Sequence, residues 1–119
     1  MAPVIPLPSA VLQVVSLALD AASLRQQAIA ANIANAGDAS YLRRGVSFEA
    51  RLRELSASSA LSGASIASLQ PHLVIDNSKA ALDQDVAAMA GNTLHFQALL
   101  KALNAELELM GLAASDGRR

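Results

Sequence analysis

The C-terminal segment, residues 82–110, reads LDQDVAAMAGNTLHFQALLKALNAELELM. Spacings of four and three alternate along it for about four heptads, through Leu82, Val86, Met89, Thr93, Phe96, Leu100, Leu103, Leu107 and Met110, of which only Thr93 is polar. This spacing places the row on one face of an α-helix and is typical of a coiled-coil seam. Asp83 and Asp85 lie near its start, where the helix dipole favours negative charge. We therefore predict a helix over residues 79–112.

The N-terminal part of the chain has a similar pattern. Neither Pro nor Gly interrupts residues 10–35, and we predict a helix over residues 9–35. One apolar seam runs through Ala10, Val14, Leu17, Ala21, Leu24, Ala28 and Ala31, and a second seam runs beside it through Val11, Val15, Ala18, Ala22, Ile29 and Ile33. A surface helix needs only one such stripe. The helix is therefore expected to make contacts on two sides.

The middle of the chain, residues 36–78, has no long periodic pattern. Gly37 is a candidate for a left-handed residue just beyond the first helix. Residues 51–55 are compatible with a short helix and residues 73–75 with a brief strand. Residues 56–68 are rich in Ser, Ala and Gly, which predicts a mobile loop outside the core. We expect a single all-α domain over residues 1–119, in which two long helices pair as an antiparallel coiled-coil hairpin joined by this irregular middle.

The composition agrees with a helical fold that meets other chains. Hydrophobic residues make up 53% of the sequence but aromatic residues only 3%, so Ala and Leu supply most of the apolar surface. Charged residues account for 16% and the net charge is -1, which leaves no basic footprint for nucleic acid. A mean hydropathy of +0.35 with so few charges predicts burial against partner chains. Cysteine is absent, which excludes disulfides and thiolate metal sites.

Candidate catalytic and metal-binding residues do not cluster in the sequence. Serines occur in runs, such as residues 56–59, without a base at a recognisable spacing. Neither His72 nor His95 has a second histidine at helical spacing, and no glycine stands in a phosphate-loop pattern. We expect no enzymatic activity, no cofactor and no metal.

The densest charge is a group of four arginines, Arg43, Arg44, Arg51 and Arg53. Such a group can contact an anionic surface. We favour a solvated or salt-bridged face, with Glu49 and Glu54 as local partners.

The first nineteen residues carry no charge, but they do not read as a targeting or membrane segment. Pro3, Pro6 and Pro8 interrupt their first half, and no Lys or Arg precedes it. We expect neither a signal peptide nor direct insertion into a membrane. Export from the cytoplasm would then need a route without a cleaved signal.

Two motifs resemble bacterial flagellar axial proteins. Residues 31–41, ANIANAGDASY, resemble the N-terminal signature of that family, in which a long helix ends in Ala-Asn-x-Ala-Asn and passes through a turn to Tyr. Residues 82–99, LDQDVAAMAGNTLHFQAL, resemble the matching C-terminal segment of the proximal rod proteins of the flagellar basal body. The usual turn of the family is Thr-Pro-Gly-Tyr, whereas this chain has Asp38, Ala39, Ser40 and Tyr41.

The resemblance implies a structural subunit of the flagellar basal-body rod that catalyses no reaction. Members of the family are exported unfolded by the flagellar type III apparatus and assemble, as homo- and hetero-oligomers, with other rod subunits and with ring and export components of the basal body. The rod transmits torque for motility. One seam of the N-terminal helix would pack on the C-terminal helix and the other on adjacent subunits.

The assembly interface implied in this way comprises Leu17, Leu24, Asn32, Asn35, Tyr41, Leu82, Val86, Met89, Asn92, Phe96, Leu100, Leu103 and Leu107. An alternative function is that of a helical coiled-coil adaptor or oligomeric accessory protein of a secretion system. A small enzyme or ligand-binding helical hairpin is a third candidate.

Overall fold

The computed structural model describes residues 7–58, 65–66 and 68–117. These residues form, in chain order, helix α1 (Leu7–Ala34), strand β1 (Arg44–Ser47), helix α2 (Glu49–Ala57), strand β2 (His72–Ile75) and helix α3 (Leu82–Asp116). The fold is mostly helical, as predicted, and the long helices α1 and α3 pack against each other. The molecule is elongated, with extents of 62 × 27 × 17 Å.

Helix α1 ends without the left-handed glycine that the sequence predicted. The backbone of Gly37 does not adopt a left-handed φ, so that prediction is wrong. The backbone N–H of Ala36 donates to the carbonyl of Ile33 at 3.3 Å, and that of Asp38 donates to the carbonyl of Asn35 at 3.0 Å. These tight bonds satisfy carbonyls that the end of a helix leaves free, and the chain needs no left-handed residue there.

Asp38 forms the turn that leads to Tyr41. Its carboxylate accepts hydrogen bonds from the hydroxyl of Ser40 at 2.7 Å and from the N–H of Ser40 at 2.9 Å, and these two bonds lower the pKa of Asp38. The backbone carbonyl of Asp38 also accepts a bond from the N–H of Tyr41 at 3.1 Å. An aspartate side chain bonded two residues ahead replaces a backbone turn. The turn therefore forms without the Pro and Gly of the flagellar turn sequence that it resembles.

Strands β1 and β2 form a two-stranded antiparallel sheet. Arg44 lies opposite Ile75, and Val46 lies opposite Leu73. Strand β2 confirms the strand predicted at residues 73–75, but β1 was not predicted. Its sequence RGVS contains one large apolar residue, Val46, and so lacks the alternation by which a strand is recognised.

The core lies between α1, the sheet, α2 and residues 65–66 and 68–69. Ala21, Phe48, Leu55 and Leu69 form a buried cluster. Ile66 and Leu69 are each only 1% exposed, so the prediction that residues 56–68 stay outside the core is wrong at Ile66. Helix α2 contains the short helix predicted at residues 51–55 and is longer. Residues 59–64 and 67 lie outside the described residues, and their mobility stays a prediction.

Both seams of α1 make contacts within the chain. Leu17 and Ala21 of the first seam belong to the core or pack against it. Ala22 of the second seam accepts a hydrogen bond from Asn92 on α3. At these positions the first seam thus packs on the chain's own middle region and the second seam meets α3, whereas we expected one of the two seams to pack on adjacent subunits.

Helix α3 is longer than predicted at its C-terminal end. It passes through Gly111 and ends at Asp116, where we had predicted an end at residue 112. The residues after Gly111 include Ala113 and Ala114, and alanine is the strongest helix former. At the other end, the side-chain oxygen of Gln84 accepts a bond from the N–H of Ala81 at 3.1 Å and caps the first turn.

The burial of Ile66 leads to a prediction on stability. Ile66→Ala leaves a cavity in the core and should lower the free energy of unfolding by about 3 kcal/mol. Leu112→Ala, at an exposed position on α3, should change it by less than about 0.5 kcal/mol. Urea denaturation followed by circular dichroism measures both. Equal effects of the two substitutions would contradict the burial of Ile66.

Candidate assembly surface and its polar anchors

The apolar seam predicted on α3 divides into two rows. Met89, Phe96 and Leu103 are half-buried, whereas Leu82, Val86, Leu100 and Leu107 are exposed by 53%, 52%, 39% and 48%. The buried side chains of Asp85 and Asn92 take the positions next to Met89 and Phe96 on the covered face. The expectation of one continuous buried seam is therefore wrong, because α3 is rotated by one position toward its polar residues.

Asn92 connects the middle of α3 to α1. Its side-chain nitrogen donates to the carbonyl of Ala22 at 2.8 Å and to the side-chain oxygen of Gln26 at 2.7 Å. Gln26 donates in turn to the hydroxyl of Thr93 at 3.2 Å, and that hydroxyl donates to the carbonyl of Met89 at 3.0 Å. A buried amide needs such partners, and it holds the two helices in one register.

A groove of about 410 Å³ opens between α1 and α3 beside this amide. Its walls include Ala22 and Ser23 from α1 and Phe96, Gln97 and Leu100 from α3. Leu100 belongs both to this groove and to the exposed row. The row and the groove therefore form one continuous, largely apolar surface, which is the candidate assembly surface.

Asp85 is the second polar anchor of α3. Its carboxylate accepts two hydrogen bonds from the guanidinium of Arg43, at 2.7 and 2.8 Å. The side chain of Asp85 is only 6% exposed and that of Arg43 22% exposed. Hydrogen bonding to Arg43 lowers the pKa of Asp85, and the same contact raises the pKa of Arg43. The pair joins the segment before β1 to the first turn of α3.

Asn32 is the third anchor, and it joins α1 to the sheet. Its side-chain oxygen accepts from the N–H of Arg44 at 2.9 Å, and its side-chain nitrogen donates to the carbonyl of Arg44 at 2.9 Å. The partner of Asn32, which the sequence assigned to the assembly interface, is thus strand β1 of the same chain. A primary amide presents the same donor and acceptor as a backbone peptide, so Asn32 pairs with β1 as a neighbouring strand would.

The other predicted site residues lie at several places. Asn35 donates from its side chain to the carbonyl of Ala31 at 2.8 Å, so its amide bonds to the last turn of α1. Leu17 packs on the core, and Leu24 lines a groove of about 200 Å³ between α1 and the sheet. The hydroxyl of Tyr41 is buried and has no hydrogen-bond partner among the described residues. The thirteen residues therefore do not form one surface, and the role of each in assembly stays a prediction.

Among the described residues, two of the four arginines form salt bridges: Arg51 with its expected partner Glu54, and Arg43 with Asp85. Arg51 pairs with Glu54 at 2.9 Å, whereas Glu49 pairs with Arg25 of α1 at 2.7 Å. The pair between Arg43 and Asp85 was missed in the sequence. The sequence feature that could have indicated it is the spacing of Asp85 and Asn92, which lie one heptad apart in a helix whose neighbouring positions are apolar.

The anchor at Asn32 is tested by two matched substitutions in the Ala-Asn-x-Ala-Asn motif. Asn32→Leu removes both bonds to Arg44 and leaves the backbone N–H and carbonyl of Arg44 without partners. This loss should lower the free energy of unfolding by about 2–3 kcal/mol. Asn35→Leu removes only a bond within its own helix end and should cost less than about 1 kcal/mol. Urea denaturation measures the free energy of unfolding of both variants. A larger loss of the free energy of unfolding for Asn35→Leu would show that the two bonds from Asn32 to β1 contribute little to stability.

The pair of Asp85 and Arg43 predicts a pH dependence. Because the folded state lowers the pKa of Asp85, the stabilisation is complete above about pH 4, where an unfolded aspartate is ionised, and disappears as the pH falls through the folded-state pKa. Asp85→Asn should lower the free energy of unfolding by about 3 kcal/mol at neutral pH. The difference in unfolding free energy between variant and parent should become smaller below about pH 4. Asp83→Asn, at an exposed site in the same turn, is the control. A difference that is constant from pH 7 to about pH 3 would contradict this account.

Other features of the described residues give no further indication of function. They contain no group of three or more His, Cys, Asp or Glu side chains that could hold a metal ion. Within the same part of the chain, no helix is long and apolar enough to cross a membrane. No protein-family model matches the sequence, and no curated protein matches it significantly.

Proposed function

We propose that the chain is a structural subunit of the bacterial flagellar basal-body rod, of the FlgB class of proximal rod proteins. In this proposal α1 and α3 pair as an antiparallel coiled-coil hairpin. The contacts are consistent with that direction, because Ala22 meets Asn92 while Asn32, ten residues later, binds the residue next to Arg43, which holds Asp85. A later residue of α1 thus lies near an earlier residue of α3.

The observation that carries the proposal is the exposed apolar row of α3 beside the open groove. Val86, Leu100 and Leu107 are spaced as a coiled-coil seam, yet α1 leaves them uncovered. The whole chain exposes 8028 Å², whereas a compact monomer of this mass exposes roughly 6,100 Å². The difference of roughly 1,900 Å² exceeds the roughly 800 Å² that each partner of a standard protein interface buries. Such a surface fits a protein that is completed by neighbouring subunits.

The polar anchors fit a part that transmits torque. Asn32, Asp85 and Asn92 hold α1, the sheet and α3 by directed hydrogen bonds, which resist sliding of one helix along another better than apolar contacts do. The proposed partners are other rod subunits and the ring and export components of the basal body. The proposed location is the rod, reached by export without a cleaved signal. No catalytic step belongs to this proposal.

Three aspartate substitutions on α3 separate folding from assembly. Leu100→Asp places a charge in the exposed row, so the isolated chain should keep its fold while assembly loses several kcal/mol per subunit. Leu103→Asp places the charge at a half-buried position of α3 and should destabilise the isolated chain itself. Asn104→Asp adds the same charge at an exposed position and should be tolerated.

The experiment expresses each variant in a strain that lacks the gene and measures swimming and the isolation of intact basal bodies. Thermal unfolding of each purified variant gives the folding control. Loss of motility with Leu100→Asp, without loss of its fold, supports a rod subunit. A deletion strain that swims normally and has no second copy of the gene would overturn the proposal and favour the adaptor.

A further inference from the structure

The two outer edges of the sheet differ in whether their backbone groups are hydrogen-bonded. On the outer edge of β1, the N–H and carbonyl of Arg44 are both bonded to Asn32. Between the two strands, the N–H of Asp76 donates to the carbonyl of Arg43 at 2.9 Å. Because hydrogen-bonded and non-bonded pairs alternate along an antiparallel ladder, the backbone of Val74 points toward β1 and the backbones of Leu73 and Ile75 point outward. Among the described residues only β1 pairs with β2, so this outer edge is open.

The open edge lacks the features that normally protect an edge strand. Its residues Leu73, Val74 and Ile75 are 44%, 38% and 60% exposed. Strand β2 contains no Asp, Glu, Lys or Arg, whereas natural edge strands are commonly guarded by charge or by proline. Pro71 stands just before the strand and, without an N–H, can only limit the length of a new ladder. Uncapped backbone and exposed apolar side chains together make a site for another strand.

We propose that the open edge of β2 pairs antiparallel with β2 of a second copy of this chain, about a two-fold axis at Val74. Leu73 then lies opposite Ile75 of the second copy, and their outward N–H and carbonyl groups form the ladder. The two Val74 residues face each other as the non-hydrogen-bonded pair at the centre. His72 lies opposite Asp76 of the second copy, so an imidazole meets a carboxylate and no like charges face each other.

This self-complementarity is the reason for choosing a second copy as the occupant. Any extended peptide can bond to an open edge, but here the apolar side chains and the one carboxylate each find a suitable partner in the same strand reversed. The ladder is short, so the contact belongs to the class of small, weak interfaces. It goes beyond the proposed function and uses a surface different from the row on α3.

A symmetric cross-link tests the register, because the chain has no native cysteine. Non-hydrogen-bonded antiparallel pairs have Cα atoms about 4.5 Å apart, which a disulfide can span. Val74→Cys should therefore give a disulfide-linked dimer under mild oxidation. Leu94→Cys, at a more exposed site on α3, should stay largely monomeric. Equal yields of dimer from the two variants would overturn the proposal.

Sedimentation equilibrium of the full chain tests the contact without a cross-link. The parent should dimerise with rising concentration, and Val74→Lys, which sets two lysines against each other, should weaken the dimer at least about tenfold. Ile75→Pro removes an outward N–H that β1 does not use and should have the same effect. Circular dichroism checks that both variants fold. A parent that stays monomeric, or variants that dimerise as it does, would overturn the proposal.

Leu100→Asp distinguishes this proposal from the proposed function. It lies in the exposed row of α3 and should leave the dimer through β2 intact, although it blocks rod assembly. If Leu100→Asp abolishes the dimer and Val74→Lys does not, the copies meet through α3 and the proposal for β2 is wrong. Dimerisation through β2 in a chain whose deletion leaves swimming normal would support this proposal while overturning the rod.

Discussion

The buried carboxylate of Asp85 is the constraint on which the arrangement of the elements depends. An aspartate that is 5% exposed is tolerated only when its charge is matched, and Arg43 matches it with two hydrogen bonds. The next residue, Arg44, is bonded on both backbone groups by Asn32. Two consecutive residues therefore hold the start of β1 to α3 on one side and to α1 on the other. Removing either contact would weaken the attachment of the sheet to one of the two helices.

The same constraint explains why an apolar row of α3 stays exposed. Leaving a buried charge without its partner costs about 3–5 kcal/mol, and leaving a buried amide unsatisfied costs about 1–3 kcal/mol. Rotating α3 to cover Val86 and Leu100 would gain only part of the roughly 1.5–3 kcal/mol that full burial of such a side chain provides. The polar anchors Asp85 and Asn92 therefore decide which face of α3 meets α1, and the row stays exposed.

How far the sequence predicts this fold follows from what each element depends on. The long helices were predictable because their apolar residues repeat over many turns, and β2 because three β-formers precede a turn signal. Strand β1 and the burial of Ile66 were not, because each depends on a single apolar residue whose partners come from distant segments. The face of α3 was predicted one position off, since periodicity counts apolar residues and gives no weight to a carboxylate with a partner forty-two residues away. The two bonds between Asn32 and Arg44 could not be predicted, because β1 itself was not predicted.

The anchors also decide where the sheet can grow. Since Asn32 occupies the outer edge of β1, a further strand can be added only beside β2. The bond from Asp76 to Arg43 fixes which backbone groups of β2 point outward, and these belong to Leu73 and Ile75. A shift of this ladder by one residue would turn those groups inward and present the backbone of Val74 and His72 instead. The pairing of Arg43 with Asp85 fixes the start of β1, against which β2 is aligned, so one ion pair positions both the covered face of α3 and the strand that leaves β2 as the open edge.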